Sequence, residues 1–161
     1  MGMAARSRPL VGKYAFQVRD LHDGIKQAKF QKCTGIGVTL NIGEYSEGGA
    51  QAPMKEVTRV SYSNAMLEHG VFENHEISDW VEDCINELTS SPDGTGALRS
   101  PLPLRDFSVD QLRRDRSILH TNILRNCQPA SWKPGEHDNT SNDVQVEELE
   151  IAYEYFYKKM A

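Results

Sequence analysis

The stretch from Trp132 to Tyr157, WKPGEHDNTSNDVQVEELEIAYEYFY, decides the fold. Its first half is rich in Pro, Gly, Asp, Asn and Ser. These residues favour turns because they preset φ, tolerate positive φ or bond to their own backbone. Its second half alternates. Val144 and Val146 share one phase, while Leu149, Ile151, Tyr153, Tyr155 and Tyr157 share the other. A period of two marks a strand with one buried face. One extra residue at Glu147-Glu148 switches the phase, as a β-bulge would, and bulges let a strand bend from one sheet into another. A long polar loop feeding an irregular strand points to a mainly β fold.

Working back from this stretch, the segment 107–125 reads in two ways. Val109, Leu112, Leu119 and Ile123 fit a helical stripe with a gap at Arg116. A hairpin fits as well: Phe107–Arg113, a turn at Arg114-Asp115-Arg116-Ser117, then Ile118–Arg125. Periodicity alone does not separate them. One helix is clear. Ile77, Trp80, Val81, Cys84, Ile85 and Leu88 recur at helical spacing and form one apolar stripe for packing onto a sheet. Glu76 and Asp79 in its first turn suit the positive end of the helix dipole, and Asn74 or His75 serves as cap. The run Ser90-Ser91-Pro92-Asp93-Gly94 stops it.

In the N-terminal half, Tyr14, Phe16 and Val18 alternate with Ala15, Gln17 and Arg19, a half-buried strand. His22-Asp23-Gly24 makes a turn, and a short second strand is expected to about Phe30. Ile36, Val38, Leu40 and Ile42 alternate over Gly37, Thr39 and Asn41. EYSEGGAQAPMKE then reads as a long exposed arm, within residues 43–56, between strands, and strand character returns at Val57–Tyr62 and Ala65–Leu67. Residues 1–11 read as a flexible basic arm. Residues 89–104, rich in Pro, Gly and Ser, read as a loop insertion. Residues 1–161 are expected to be one domain.

Composition narrows the function. With 161 residues the chain is long enough for a core without disulfides or metals. Its net charge of −5, without a basic patch, argues against a free nucleic-acid binder. Cys33, Cys84 and Cys127 are odd in number, widely spaced and form no CxxC pair, so reduced thiols of a cytosol-made protein are expected. The N-terminus lacks an apolar signal core, and Arg6 breaks the myristoylation pattern. No run approaches the roughly 18 apolar residues of a membrane span.

The pieces in order resemble the tail tube proteins of contractile phages and related injection machines, whose fold is shared by type VI secretion ring proteins. YAFQV looks like the family's first strand. CTGIGVTLNIGEYSEGG is similar to its glycine-bearing strand and charged arm. MLEHGVF followed by HEISDWVEDCIN resembles its strand, Gly70-Val71-Phe72 and Trp80-bearing helix, and NCQPASWKPGEHDNTSNDVQVEELEIAYE resembles its C-terminal pattern. The resemblance runs from about Tyr14 to Phe156 and favours the hairpin over 107–125. It departs in the long 89–104 loop, in the basic N-terminal arm, and at Glu56-Val57-Thr58-Arg59, where the family carries a Pro-containing turn.

The resemblance implies two packed antiparallel sheets forming a near-barrel with one flanking helix, assembling into hexameric rings that stack into a tube inside a contractile sheath. It implies itself, the sheath, baseplate and terminator proteins as partners. DNA or effector cargo would pass through the lumen without tight binding, along a weakly negative wall. Synthesis in the bacterial cytoplasm and assembly into a phage tail or extracellular particle follow, with no direct membrane anchor. Glu44, Tyr45, Ser46, Glu47, Gly48 and Gly49 are the expected inter-subunit contacts. The departures leave a main tube subunit, a tube initiator near a baseplate and a cap open. A small barrel that binds a flavin or another ligand is the alternative of a different class.

No catalytic, cofactor or metal residue is assigned. His22, His69, His75, His120 and His137 form no HxxxH or HExxH pattern. His137-Asp138 and Cys127 read as loop residues and a structural thiol rather than as a metal or Cys-His pair. Glu76, Asp79, Glu82, Asp83 and Glu87 read as the solvated helix face. TGIG at Thr34–Gly37 lacks the Lys and the strand-to-helix setting of a phosphate loop. Trp132 reads as a loop anchor.

Overall fold

The computed structural model describes residues 12, 15–22, 25, 29–70, 75–89 and 103–161. The N-terminal arm 1–11, Tyr14, the Asp23-Gly24 turn, Val71-Phe72, Asn74 as a cap and residues 90–102 of the loop insertion lie outside the described residues. The elements, in order, are β1 (Phe16–Asp20), β2 (Lys32–Thr34), β3 (Gly37–Tyr45), β4 (Met54–Ser63), β5 (Ala65–Gly70), α1 (Glu76–Thr89), β6 (Arg105–Leu112), β7 (Ile118–Lys133), β8 (Val146–Ala152) and β9 (Tyr155–Met160). The fold is mainly β with one helix among the described residues, and every strand pairing is antiparallel.

Seven strands form one sheet in the order β1-β6-β7-β8-β5-β2, with β9 also paired to β7; β3 and β4 form a separate two-stranded sheet. The expected near-barrel does not close. β1 and β2 end the sheet path without pairing to each other. The sheet instead bends in the middle of β7. The first half of β7 pairs β6 and β9, and its second half pairs β8. Both halves supply one core: Phe107 and Leu124 from the first, Ala65, Leu67, Leu149 and Ile151 from the second, with Cys127 at the bend.

The hairpin over 107–125 is present. Arg116 takes the left-handed conformation (φ 65°), and the Arg113 N–H donates to the Ser117 carbonyl at 2.8 Å. Asp115 Oδ1 accepts from the Ser117 amide and hydroxyl, fixing the tip. No strand forms at Lys29-Phe30; the second strand starts at Lys32 instead and is three residues long. The 43–56 arm is also more ordered than a loop, because β3 continues to Tyr45 and β4 begins at Met54.

The bulge expected at Glu147-Glu148 is not there. β8 runs in unbroken register against β5 from Gly70↔Val146 to Ala65↔Ile151. The irregularity lies on β7, between Pro129 and Ser131. Proline has no N–H for the ladder, which suits a position beside a register shift. The phase of the last strands switches later, at Glu154: Leu149, Ile151 and Tyr153 are buried, whereas Tyr155 and Tyr157 turn outward and Phe156 packs against the core.

Candidate assembly surfaces

The bend is built on carboxylates that sequence reading did not single out. On β6, Asp106, Ser108 and Asp110 alternate with Phe107 and Val109, so the polar set should face solvent; all three are buried. Asp106 Oδ1 accepts the Asn126 amide at 2.9 Å, and its other oxygen meets Arg125 at 3.0 Å and His22 at 3.4 Å. Asn126 is left-handed (φ 53°) and donates its side chain to Glu154 at 2.7 Å. Two neighbouring strands thus turn their faces over at one level. Asp110 Oδ2 accepts from Arg19 (2.6 Å) and Gln17 (2.9 Å), and Oδ1 from Thr121 (2.7 Å). Burial alone would raise its pKa, but the donors from Arg19, Thr121 and Gln17 outweigh burial and hold it below the ordinary value. Asp20 is tied to Arg105 at 2.7 Å and to the Ile25 amide at 3.0 Å. The sequence signal for this set is slight: Asp106 and Asp110 on one strand face with Ser108 between them, and Arg19 and Arg105 each beside an acid.

A second buried polar group fixes the far half. His69 on β5 lies opposite Glu147 on β8, with Nε2 to Oε2 at 2.9 Å. Trp132 donates its indole N–H to the same carboxylate, and Phe30 meets the imidazole edge-on. Trp132 is therefore an anchor at the end of β7. His137 sits in the loop beside Gln145, while Cys127 is fully buried in the core. Burial pushes the Cys127 thiol up to about 12 and that of Cys33 up to about 11, so neither is a nucleophile near neutrality.

The helix stripe is narrower than its spacing suggests. Ile77, Trp80 and Cys84 are buried and Val81 packs against them, but Ile85 and Leu88 are half exposed (51% and 48%). Trp80 rests on Phe107 of β6 and donates to the Pro103 carbonyl at 2.8 Å. The buried side of α1 therefore ends at Cys84, one residue before the half-exposed Ile85.

Glu44 and Tyr45 close β3, and Ser46, Glu47, Gly48 and Gly49 form the hairpin tip. All six are exposed. Gly49 has a φ of +95°, and the Ala50 N–H returns to the Glu47 carbonyl at 3.0 Å. Lys55 pairs loosely with Glu44 across the strands at 3.3 Å. The hairpin carries an apolar stripe that is about half exposed: Val38, Leu40 and Ile42 on β3, Val57 and Val60 on β4. Its base is anchored, because Tyr62 packs edge-on against Tyr153 and Phe156. Gly35, at φ +85°, lets the chain pass where a Cβ would lie 2.4 Å from the Asn64 carbonyl oxygen.

Two edges of the bent sheet are also open. Among the described residues, β1 and β9 flank the four-stranded half β1-β6-β7-β9, each paired on one side only. Among the described residues, no helix is long and apolar enough to cross a membrane.

This architecture is shared with known proteins. A chain in the anti-feeding prophage baseplate is similar with a TM-score of 0.75 and 22% identity, over 96% of this chain and 97% of that one. A chain of the sheath-tube complex of the extracellular contractile injection system PVC matches with a TM-score of 0.75 and 20% identity, over 94% and 93%. Hcp1 from Flavobacterium johnsoniae is more distant, at 0.52 and 14% identity over 92% and 97%. No curated protein matched the sequence. The profile of the T4-like virus tail tube protein gp19 family matches residues 12–157, and the chain belongs to that family.

Proposed function

We propose that this chain is the repeating subunit of the inner tube of a contractile phage tail or extracellular contractile injection particle. Its role is structural, and it works by assembling into hexameric rings that stack around a conduit for DNA or effector cargo. The observation that carries this reading is the tail tube family match across residues 12–157.

The open edges supply a mechanism. β1 runs parallel to β7, and β9 runs antiparallel to both. The β9 edge of one copy therefore meets the β1 edge of the next in an antiparallel sense. Repeating that contact adds four strands per copy and removes unpaired edges when the ring closes. The two-stranded hairpin, marginal in water by itself, would lay its apolar stripe on a neighbour. The sheet face away from the core carries Arg19, Arg125, Lys159, Tyr155 and Tyr157, with Asp106 and Asp110 neutralising the two arginines. A wall of that kind would hold cargo weakly. Sheath, baseplate and terminator proteins are the expected partners in the particle. An end-of-tube role is the second reading; a chain of the anti-feeding prophage cap is similar at a TM-score of 0.76 and 18% identity.

Negative-stain electron microscopy of the purified protein tests this. Rings or stacked tubes with a central hole are expected. Small featureless particles at every concentration would reject the tube reading, and single rings that never stack would favour the end-of-tube role.

A further inference from the structure

The two ends of β7 carry opposite charge and opposite shape. At its start the β6–β7 turn projects Arg113, Arg114 and Arg116, all exposed, around the single acid Asp115. The tip is convex and held by the Asp115–Ser117 and Arg113–Ser117 hydrogen bonds. Arg114 and Arg116 form no ion pair among the described residues. Lys158 and Lys159 of β9 lie at this same end, opposite Asn122 and Thr121.

Beyond the other end of β7, the loop 134–145 folds back to form an open concavity of about 800 Å³. Glu136, Asp138, Asp143 and Glu148 line it, together with Val144 and Lys133. Lys133 is already directed at Glu148, at 3.7 Å. Glu136 and Asp143 are exposed and form no ion pair among the described residues. Val144 is 77% exposed, an apolar side chain left in water inside an acidic hollow. Gly135, at φ +96°, makes the hollow possible, since a Cβ there would lie 2.8 Å from Gln145 and from the Val146 carbonyl. In a chain of net charge −5, this separation of cations from acids is not a general excess of one sign.

We infer that the arginine turn of one copy seats in the acidic hollow of a second copy, and that this is the contact that stacks one ring on the next. The inference rests on the tube reading. A copy cannot fill its own hollow, because turn and hollow lie at opposite ends of a 16-residue strand. The contact is head-to-tail like the strand-edge contact, but it joins opposite faces of rings already closed through their edges, so it repeats along the ring axis. It also leaves the strand edges free, which the ring needs. Arginine suits the role because its planar fork binds carboxylates in two places.

The test uses two charge-reversed variants of the full chain, R114E/R116E and E136R/D143R. All four side chains are exposed, so both variants should fold, which circular dichroism checks. Each variant should form rings but self-stack about a hundredfold less well, the scale set by like charges facing each other across a contact. Mixing them should restore stacks, because each turn then meets a hollow of opposite sign. Stacks of the unaltered chain should shorten as ionic strength rises from about 0.1 to about 1 M, where the screening length falls from about 10 to about 3 Å. Undiminished stacking by either variant alone, or no stacking in the mixture while both form rings, would overturn the inference. If no chain forms rings, the tube reading fails separately. Sedimentation of the mixed variants then decides the contact: pairing only between unlike variants upholds it, and no pairing overturns it.

Discussion

Asp110 shows how a single side chain can be essential to the sheet yet hidden from sequence reading. It is fully buried on the face of β6 that alternation assigns to solvent. Three donors compensate its desolvation, and Arg19 is held at 2.6 Å. The sign of its pH effect follows from the direction of its shift. Its carboxyl titrates below the ordinary 3.8 in the folded chain. The folded state therefore binds a proton less readily than the unfolded one, and the stabilisation is complete above about that ordinary value. It is lost as pH falls through the folded pKa. The urea midpoint should accordingly drop below about pH 4, and Asp110→Asn should lower the midpoint at pH 7 while flattening that acid limb. An acid limb unchanged in the variant would remove Asp110 from the cause. The residues that align such a carboxylate are spread over β1, β6 and β7, and no local pattern joins Gln17, Arg19, Asp110 and Thr121.

Local pattern did identify most of the elements. The alternation in Ile36–Ile42, the stripe of Ile77, Trp80 and Cys84, and the turn residues after Lys133 all report on neighbours within a few positions, which is where periodicity and turn chemistry act. What escaped was set at a distance. Alternation reads Leu149–Tyr157 as one run after a bulge at Glu147-Glu148, but the face turns over at Glu154, beside the left-handed Asn126 to which it is hydrogen-bonded. Ile85 and Leu88 fit the helix stripe in spacing, yet both stay half exposed, because spacing reports the helix face and not how far the packing against it extends. The arm residues Glu44 and Tyr45 looked like loop because their glycine-rich neighbours hid a cross-strand pairing with Met54 and Lys55. The bend itself is testable at Asn126. A left-handed residue with a Cβ costs roughly 1 kcal/mol unless it is Gly, Asn or Asp. Asn126→Ala should therefore cost about 1–2 kcal/mol, from that strain and the lost bond to Glu154. Asn126→Gly should cost less than Asn126→Ala, as read from thermal or urea unfolding. The reverse order would mean that the bend does not depend on the backbone of this residue.

At the scale of the whole molecule, stability and assembly are carried by different residues. The core joins the two halves of the bent sheet to α1, while the β3–β4 hairpin stands apart as its own two-stranded sheet, anchored mainly through Tyr62. Leu40 and Val60 face each other on that hairpin and are 52% and 47% exposed. Exposed apolar side chains on a two-stranded hairpin with open outer edges are a liability in a protomer that stays alone. In a protomer that assembles, the same stripe is a surface waiting to be covered. The paired substitution L40E/V60E separates the two cases. Opposed like charges on a hairpin that contributes little to the core should shift protomer stability by no more than about 1 kcal/mol. Burying those charges between copies costs far more than that, because each would lose water without gaining a partner. The expected outcome is a folded chain with a nearly unchanged unfolding midpoint that no longer forms rings by electron microscopy or sedimentation. A large loss of protomer stability would place the hairpin in the fold rather than in the assembly, and rings formed as readily as by the unaltered chain would leave its apolar stripe outside the subunit contact.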